Sequence, residues 1–120
     1  DGFDYKKFLE GAKIAFETII DAFNSGDKEN LKTLLTDKIY VVFEKAIDEK
    51  QNDPNSQIFS LNIDKIEKVS TNNEKITIGV KFISEQFENN DESTITKKED
   101  TWFFEKKIKS KNPNWLLSST

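Results

Sequence analysis

The sequence predicts an α+β domain, with N-terminal helices packed in the concave face of a bent four-stranded antiparallel sheet. Two observations carry that expectation. Apolar residues recur every three or four positions through the first half of the chain, and every second position through much of the second half. No repeat and no internal linker divides the 120 residues, so one domain over 1–120 is expected.

The first helix follows from Phe8, Ala12, Ala15, Phe16, Ile19, Ile20 and Phe23, which fall on one stripe. Gly26 then reads as its C-terminal cap and Asp27 as the N-cap of a short second helix carrying Leu31, Leu34 and Leu35. A third helix starts from a cap at Thr36 or Asp37, with Ile39, Val42, Phe43, Ala46 and Ile47 on its expected buried face. Pro54 and its Asx neighbours make Gln51–Ser56 a loop.

The sheet begins with the alternation of Phe59, Leu61 and Ile63, followed by a turn at Thr71-Asn72-Asn73-Glu74. Ile76, Ile78, Val80 and Phe82 form the second strand. Pairing about Asn73 sets Phe59 opposite Phe87, Ile63 opposite Ile83 and Ile66 opposite Val80. In both strands the apolar parity switches at the same level, which predicts a long hairpin that is strongly coiled or bulged. A polar loop at Glu88–Ser93 precedes a strand through Trp102 and Phe104. After a break at Lys111-Asn112-Pro113, a short last strand holds Trp115 and Leu117. Three helices wrapped by such a sheet form a cone, an architecture that often encloses a pocket.

Composition narrows the chemistry. The chain has no Cys and no His, and all 18 basic residues are lysine. Disulfides, thiol nucleophiles, the usual zinc ligand sets and His-based triads are excluded. Four glycines include no G-x-G run, and no cofactor is expected. The ten Phe residues support a real core despite 33% charged residues. A net charge of −4 argues against a general nucleic-acid partner. That charge is unevenly spread: residues 97–120 carry six Lys against Glu99, Asp100 and Glu105, a net +3. No apolar run approaches the roughly 18 residues of a membrane span. The chain starts at Asp1 and contains no Met, so a fragment lacking an upstream membrane-anchoring segment is expected.

Candidate sites are few. Glu85 shares parity with Ile83 and Phe87 and is the best candidate for an inward catalytic base, with Tyr40 as a possible acid. The competing reading, which we favour, puts Glu85 near a strand edge in solvent and Tyr40 at the core margin. The acidic pairs Asp48-Glu49, Asp91-Glu92 and Glu99-Asp100 lack calcium-loop spacing, and no metal site is expected. Trp102, Phe103, Phe104 and Trp115 interleave with lysines, a pattern that also suits single-stranded nucleic acid, but the acidic remainder disfavours it. The lysine cluster better suits an anionic membrane surface. Phe3 and Tyr5, with Lys106, Lys107, Lys109 and Lys111, are therefore the membrane- or partner-facing candidates. Phe16, Phe23, Phe43, Phe82, Trp102 and Phe104 are the candidates to line a cavity.

Phe8-Leu9-Glu10-Gly11-Ala12-Lys13, Phe16-Glu17, Ala22-Phe23 and Gly26-Asp27 resemble the opening of the Tim44-like domain family. Leu34-Leu35, Tyr40, Phe43 and Ala46-Ile47 continue the pattern. Phe82-Ile83-Ser84-Glu85, Asp100–Glu105 and Asn112-Pro113-Asn114-Trp115 complete it across nearly the whole chain. The family includes the peripheral subunit that tethers the import motor of the mitochondrial inner-membrane translocase, together with bacterial relatives. The resemblance implies the nuclear transport factor two-like cone and a non-enzymatic scaffold. It further implies docking on the inner face of an inner membrane, with a protein partner, anionic lipid, or both. At Lys106 and Lys107 the family usually has arginine, and lysine does not offer its bidentate contacts. Lysine-only basic residues with abundant Ile, Asn and Phe suggest AT-rich coding and favour a bacterial relative. A small-ligand-binding or isomerase-like member of the same cone is the alternative.

Overall fold

In the computed structural model, which describes residues 4–50, 57–88, 91–109 and 114–120, three helices precede a four-stranded sheet. The helices are α1 (Tyr5–Ser25), α2 (Lys28–Leu34) and α3 (Asp37–Lys50). The strands β1 (Gln57–Thr71), β2 (Lys75–Glu88), β3 (Asp91–Lys107) and β4 (Leu116–Ser119) form an antiparallel meander in chain order. Strands of 14 to 17 residues make the molecule elongated, 46 Å along its longest axis.

Local chemistry explains the helix boundaries. Asp4 caps α1 by accepting from the Lys7 amide at 3.0 Å. Tyr5 is therefore the first residue of the helix, three residues before its apolar stripe begins at Phe8. Gly26 ends α1 in the left-handed region (φ 71°), which glycine adopts without a Cβ penalty. Asp27 then caps α2 through the Asn30 amide at 3.1 Å. Leu35 bridges to Leu117, and the Thr36 amide donates to the Leu117 carbonyl at 2.9 Å, tying the α2–α3 junction to the outer side of β4.

The core lies between one face of α1 and the concave face of the sheet. Phe8, Ala12, Phe16, Ile19 and Ala22 are buried against Leu61, Ile78, Val80, Phe82, Trp102, Phe104 and Leu117. Phe16 sits at the centre, its ring 4.5 Å from Phe82 and 4.3 Å from Trp102. α3 differs from the expected pattern. Ile39, Tyr40, Phe43 and Ile47 are half-buried, but Val42 is 58% exposed, because the helix packs through only one margin of its apolar stripe.

The hairpin is bulged, as expected, but its register is not the one read from the sequence. Ile66 does face Val80. Ile63 faces Phe82 rather than Ile83, and Gln57 rather than Phe59 faces Phe87. Register shifts at Ile58/Ser60, Ile63/Lys65 and Ile66/Lys68 each displace the pairing by one residue. These shifts produce the apparent parity switch in β1. β2 has none: Ile78, Val80, Phe82, Ser84 and Gln86 all face inward and are buried. Ser84 and Gln86 tolerate burial because the Gln86 amide donates to the Ser84 hydroxyl at 2.9 Å. β3 starts at Asp91, inside the segment read as a loop. The expected loop at 51–56 and the break at 111–113 lie outside the described residues.

On the convex face, Gly79 is covered by its cross-strand neighbour Phe103. A Cβ at position 79 would stand 2.6 Å from the Phe103 ring. Lys81 bridges Asp64 at 3.6 Å and Glu99 at 3.4 Å, and Lys75 meets Glu105 at 3.2 Å.

Candidate functional site: an apolar groove and a lysine-rich end

A groove of about 290 Å³ opens between the C-terminal half of α1, α3 and the inner face of β3. Ile20 and Phe23 line it from α1, and Val42, Phe43 and Ala46 from α3. Trp102 and Asp100 line it from β3, beside Thr120. The Phe23 and Phe43 rings meet edge to face at 5.8 Å and hold α3 against α1. The lining is apolar except for Asp100 and Thr120.

Of the six residues expected to line a cavity, Phe23, Phe43 and Trp102 do so. Phe16, Phe82 and Phe104 are 1% exposed or less and fill the core beneath. Asp100, Ile20, Val42 and Ala46 complete the wall. Asp100 was not among the residues expected to line the cavity. Its even-numbered parity with Trp102 and Phe104 was the signal that it faces inward.

The inward carboxylate is thus Asp100 and not Glu85. Glu85 lies on the opposite face of β2 from Ser84 and Gln86 and accepts from the Ser60 hydroxyl at 3.1 Å. The inference of an inward Glu85 rested on Ile83 and Phe87 facing the core, and they do not. Tyr40 donates to Glu44 at 3.2 Å. Burial, followed by the nearby Glu44 carboxylate, raises its hydroxyl above the usual tyrosine range. Among the described residues, no group of three or more acidic side chains is placed to hold a metal.

The second feature is the sheet end formed by the β1–β2 turn and the end of β3. The Ile108 amide donates to the Glu74 carbonyl at 2.8 Å, so Lys106, Lys107, Ile108 and Lys109 stand beside that turn. Val69 is 46% and Ile108 48% exposed there, among Lys68, Lys75, Lys106, Lys107 and Lys109. The first turn of α1 points to the same end, because Phe8 packs against Phe104 and Trp115. Tyr5 is 37% exposed. Phe3 and Lys111 lie outside the described residues. Val69 and Ile108 were missed, although Ile108 stands alone within a lysine run. Among the described residues, no helix is long and apolar enough to cross a membrane.

Helices first, then a coiled meander with a groove between its concave face and the helices, define an α+β cone of the nuclear transport factor two-like type. The chain belongs to the Tim44-like domain family, whose model matches residues 1–120. This is a family of membrane-associated scaffold domains. In structure the chain is similar to the intermembrane space region of the chloroplast protein ARC6. That similarity has a TM-score of 0.54 at 11% identity, over 99% of this chain and 95% of that one, and is a likeness of fold. No curated protein matches this chain in sequence.

Proposed function

We propose that this domain is a non-enzymatic scaffold that docks peripherally on an anionic membrane and holds a protein partner in its apolar groove. The role resembles that of the translocase motor tether, on the cytoplasmic or matrix face of an inner membrane, and we assign the chain to a bacterial relative. The lysine-rich end of the sheet carries this reading. There, exposed Val69, Ile108 and Tyr5 lie at the same end of the molecule as Lys68, Lys106, Lys107 and Lys109. A lysine near an anionic leaflet contributes about 1 kcal/mol, and exposed aliphatic side chains add by entering the headgroup boundary. The groove presents one carboxylate, Asp100, and no His, Cys or Tyr among its lining residues to work with it, which supports a non-enzymatic role.

Sedimentation with vesicles tests the reading. The chain should pellet with cardiolipin-containing vesicles and not with neutral ones, and binding should weaken with salt. Lys106→Gln, Lys107→Gln and Lys109→Gln combined should abolish the difference. Equal pelleting with both vesicle types would refute the docking surface. A second reading, a small-ligand or isomerase-like cone, draws on Asp100 facing the apolar groove. Saturable uptake of a neutral steroid-like probe, lost in Asp100→Ala, would favour it.

A further inference from the structure

α1 buries one side against the sheet and leaves the opposite side in solvent. Lys7, Ile14 and Asp21 follow one another at seven-residue spacing along that outer side, and all three are exposed. Ile14 is 66% exposed, more than any other large hydrophobic among the described residues. Gly11 lies one turn before it, and a Cβ there would meet nothing within 4 Å. Glycine inside a helix costs about 0.5–1 kcal/mol relative to alanine, and no crowding within the chain requires it at this position. Thr18, one turn after Ile14, donates its hydroxyl to the Ile14 carbonyl at 2.8 Å, so covering it leaves no donor unpaired.

Charge is graded along the same side. Lys6, Lys7 and Lys13 stand in the first half of the helix and Glu17 and Asp21 in the second, with Glu10 the one exception. Lys7 and Asp21 are each seven residues from Ile14. A two-fold axis at Ile14 therefore sets Lys7 of one copy beside Asp21 of another, and the two Ile14 side chains against each other. A parallel alignment would instead oppose Lys7 to Lys7 and Asp21 to Asp21. The charges thus select the antiparallel alignment, in which the helix dipoles also oppose favourably.

We propose that the outer face of α1 pairs antiparallel with α1 of a second copy of this chain, centred on Ile14 and closed by a Lys7–Asp21 ion pair on each side. Seven-residue spacing keeps such a seam turned toward its partner, and Gly11 admits a close backbone approach. An anionic bilayer fits this face poorly, because Glu10, Glu17 and Asp21 flank Ile14. A partner of one charge sign would match only half of it. A second copy, reversed, matches both halves. From Lys7 to Asp21 the helix runs about 21 Å. A contact of that length buries less than the roughly 1,200 Å² of a stable complex, so the pairing is weak, with Kd about 0.1–1 mM. Because α1 starts at the lysine-rich end, the pair sets its two lysine-rich ends on opposite sides.

Sedimentation equilibrium at low salt, from about 0.01 to 1 mM chain, should show a monomer–dimer equilibrium that weakens as salt is added. Lys7→Glu and Asp21→Lys should each weaken it at least about fivefold, since each turns both ion pairs into like-charge contacts. The double variant should recover the wild-type affinity to within about twofold, a recovery that damage to the fold cannot produce. The chain has no cysteine, so Ile14→Cys introduces a single thiol. Under mild oxidation it should form disulfide-linked dimers at least about tenfold faster than Lys13→Cys, which points about 100° away around the helix. A chain that stays monomeric up to about 1 mM would overturn the proposal. So would a dimer equally tight in both single charge variants, or equal rates of cross-linking from positions 13 and 14.

Discussion

The contact between Gly79 and Phe103 makes a prediction in which one substitution changes sign with its background. Gly79 lies in a central strand, where glycine is intrinsically poor and alanine would ordinarily gain about 0.5–1 kcal/mol. Here the added methyl would stand 2.6 and 2.9 Å from two carbons of the Phe103 ring, well inside contact distance. The ring sits directly across the β2–β3 pair and must tilt away, an overpacking cost of about 1–3 kcal/mol. Gly79→Ala should therefore destabilise the chain by about 1–2 kcal/mol. Phe103→Ala removes the obstacle, and in that background Gly79→Ala should be neutral or stabilising. Urea unfolding of the four chains measures the cycle, with an expected coupling of at least about 1.5 kcal/mol. An equal cost for Gly79→Ala in both backgrounds would show that the ring does not restrict position 79, and would refute the reasoning.

Three further outcomes follow from the same geometry. Phe16→Ala should cost about 3–5 kcal/mol, because its ring is 1% exposed and packed between Phe82 and Trp102; a loss below 1 kcal/mol in urea titration would contradict that packing. Asn72 accepts from the Glu74 and Lys75 amides at 2.7 and 2.8 Å, so Asn72→Ala should destabilise the turn by about 1 kcal/mol, and Asn72→Asp much less, read as thermal shifts. Hydrogen bonding to Glu99, reinforced by its charge and that of Asp64, raises Lys81 above the ordinary lysine range. A raised lysine stabilises the fold fully below its unfolded pKa of about 10.4 and loses that contribution as pH climbs through the folded value. The wild-type melting temperature should accordingly fall more steeply above about pH 10.4 than that of Glu99→Gln, and parallel curves would refute the linkage.

Features governed by neighbours in sequence were legible in advance. The α1–α2 boundary at Gly26 and Asp27 and the Asn72 turn depend on one or two side chains acting locally. The inward parity of Trp102 and Phe104 was readable because alternation carries through the part of β3, Ile95 to Lys107, that runs in unbroken register with β2. The register of β1 was not readable, because each bulge is one unpaired residue whose position depends on packing against α1 and β2. The parity of Ile83 and Phe87 was misread for a related reason. Ser84 and Gln86 look like surface residues, yet each satisfies the other inside, while Ile83 and Phe87 lie on the convex face. A polar pair buried together reverses the usual hydropathy signal. The groove was only partly legible: its aromatic residues stood out and Asp100 shares the parity of Trp102, but the exposure of Val42 depends on how far α3 stands off the sheet.

That stand-off has a consequence for motion. None of the described residues of α3 is fully buried, and its attachments include the Phe23–Phe43 ring contact and the solvent-exposed Lys28–Asp48 pair at 2.8 Å. A helix held this way opens locally at a lower free energy than the α1–sheet core unfolds. The width of the groove is then set by an elastic wall on one side and a rigid sheet on the other. An occupant wedges α3 outward without disturbing the core, and the work of admitting it depends on how stiffly the ring contact and the ion pair hold that wall.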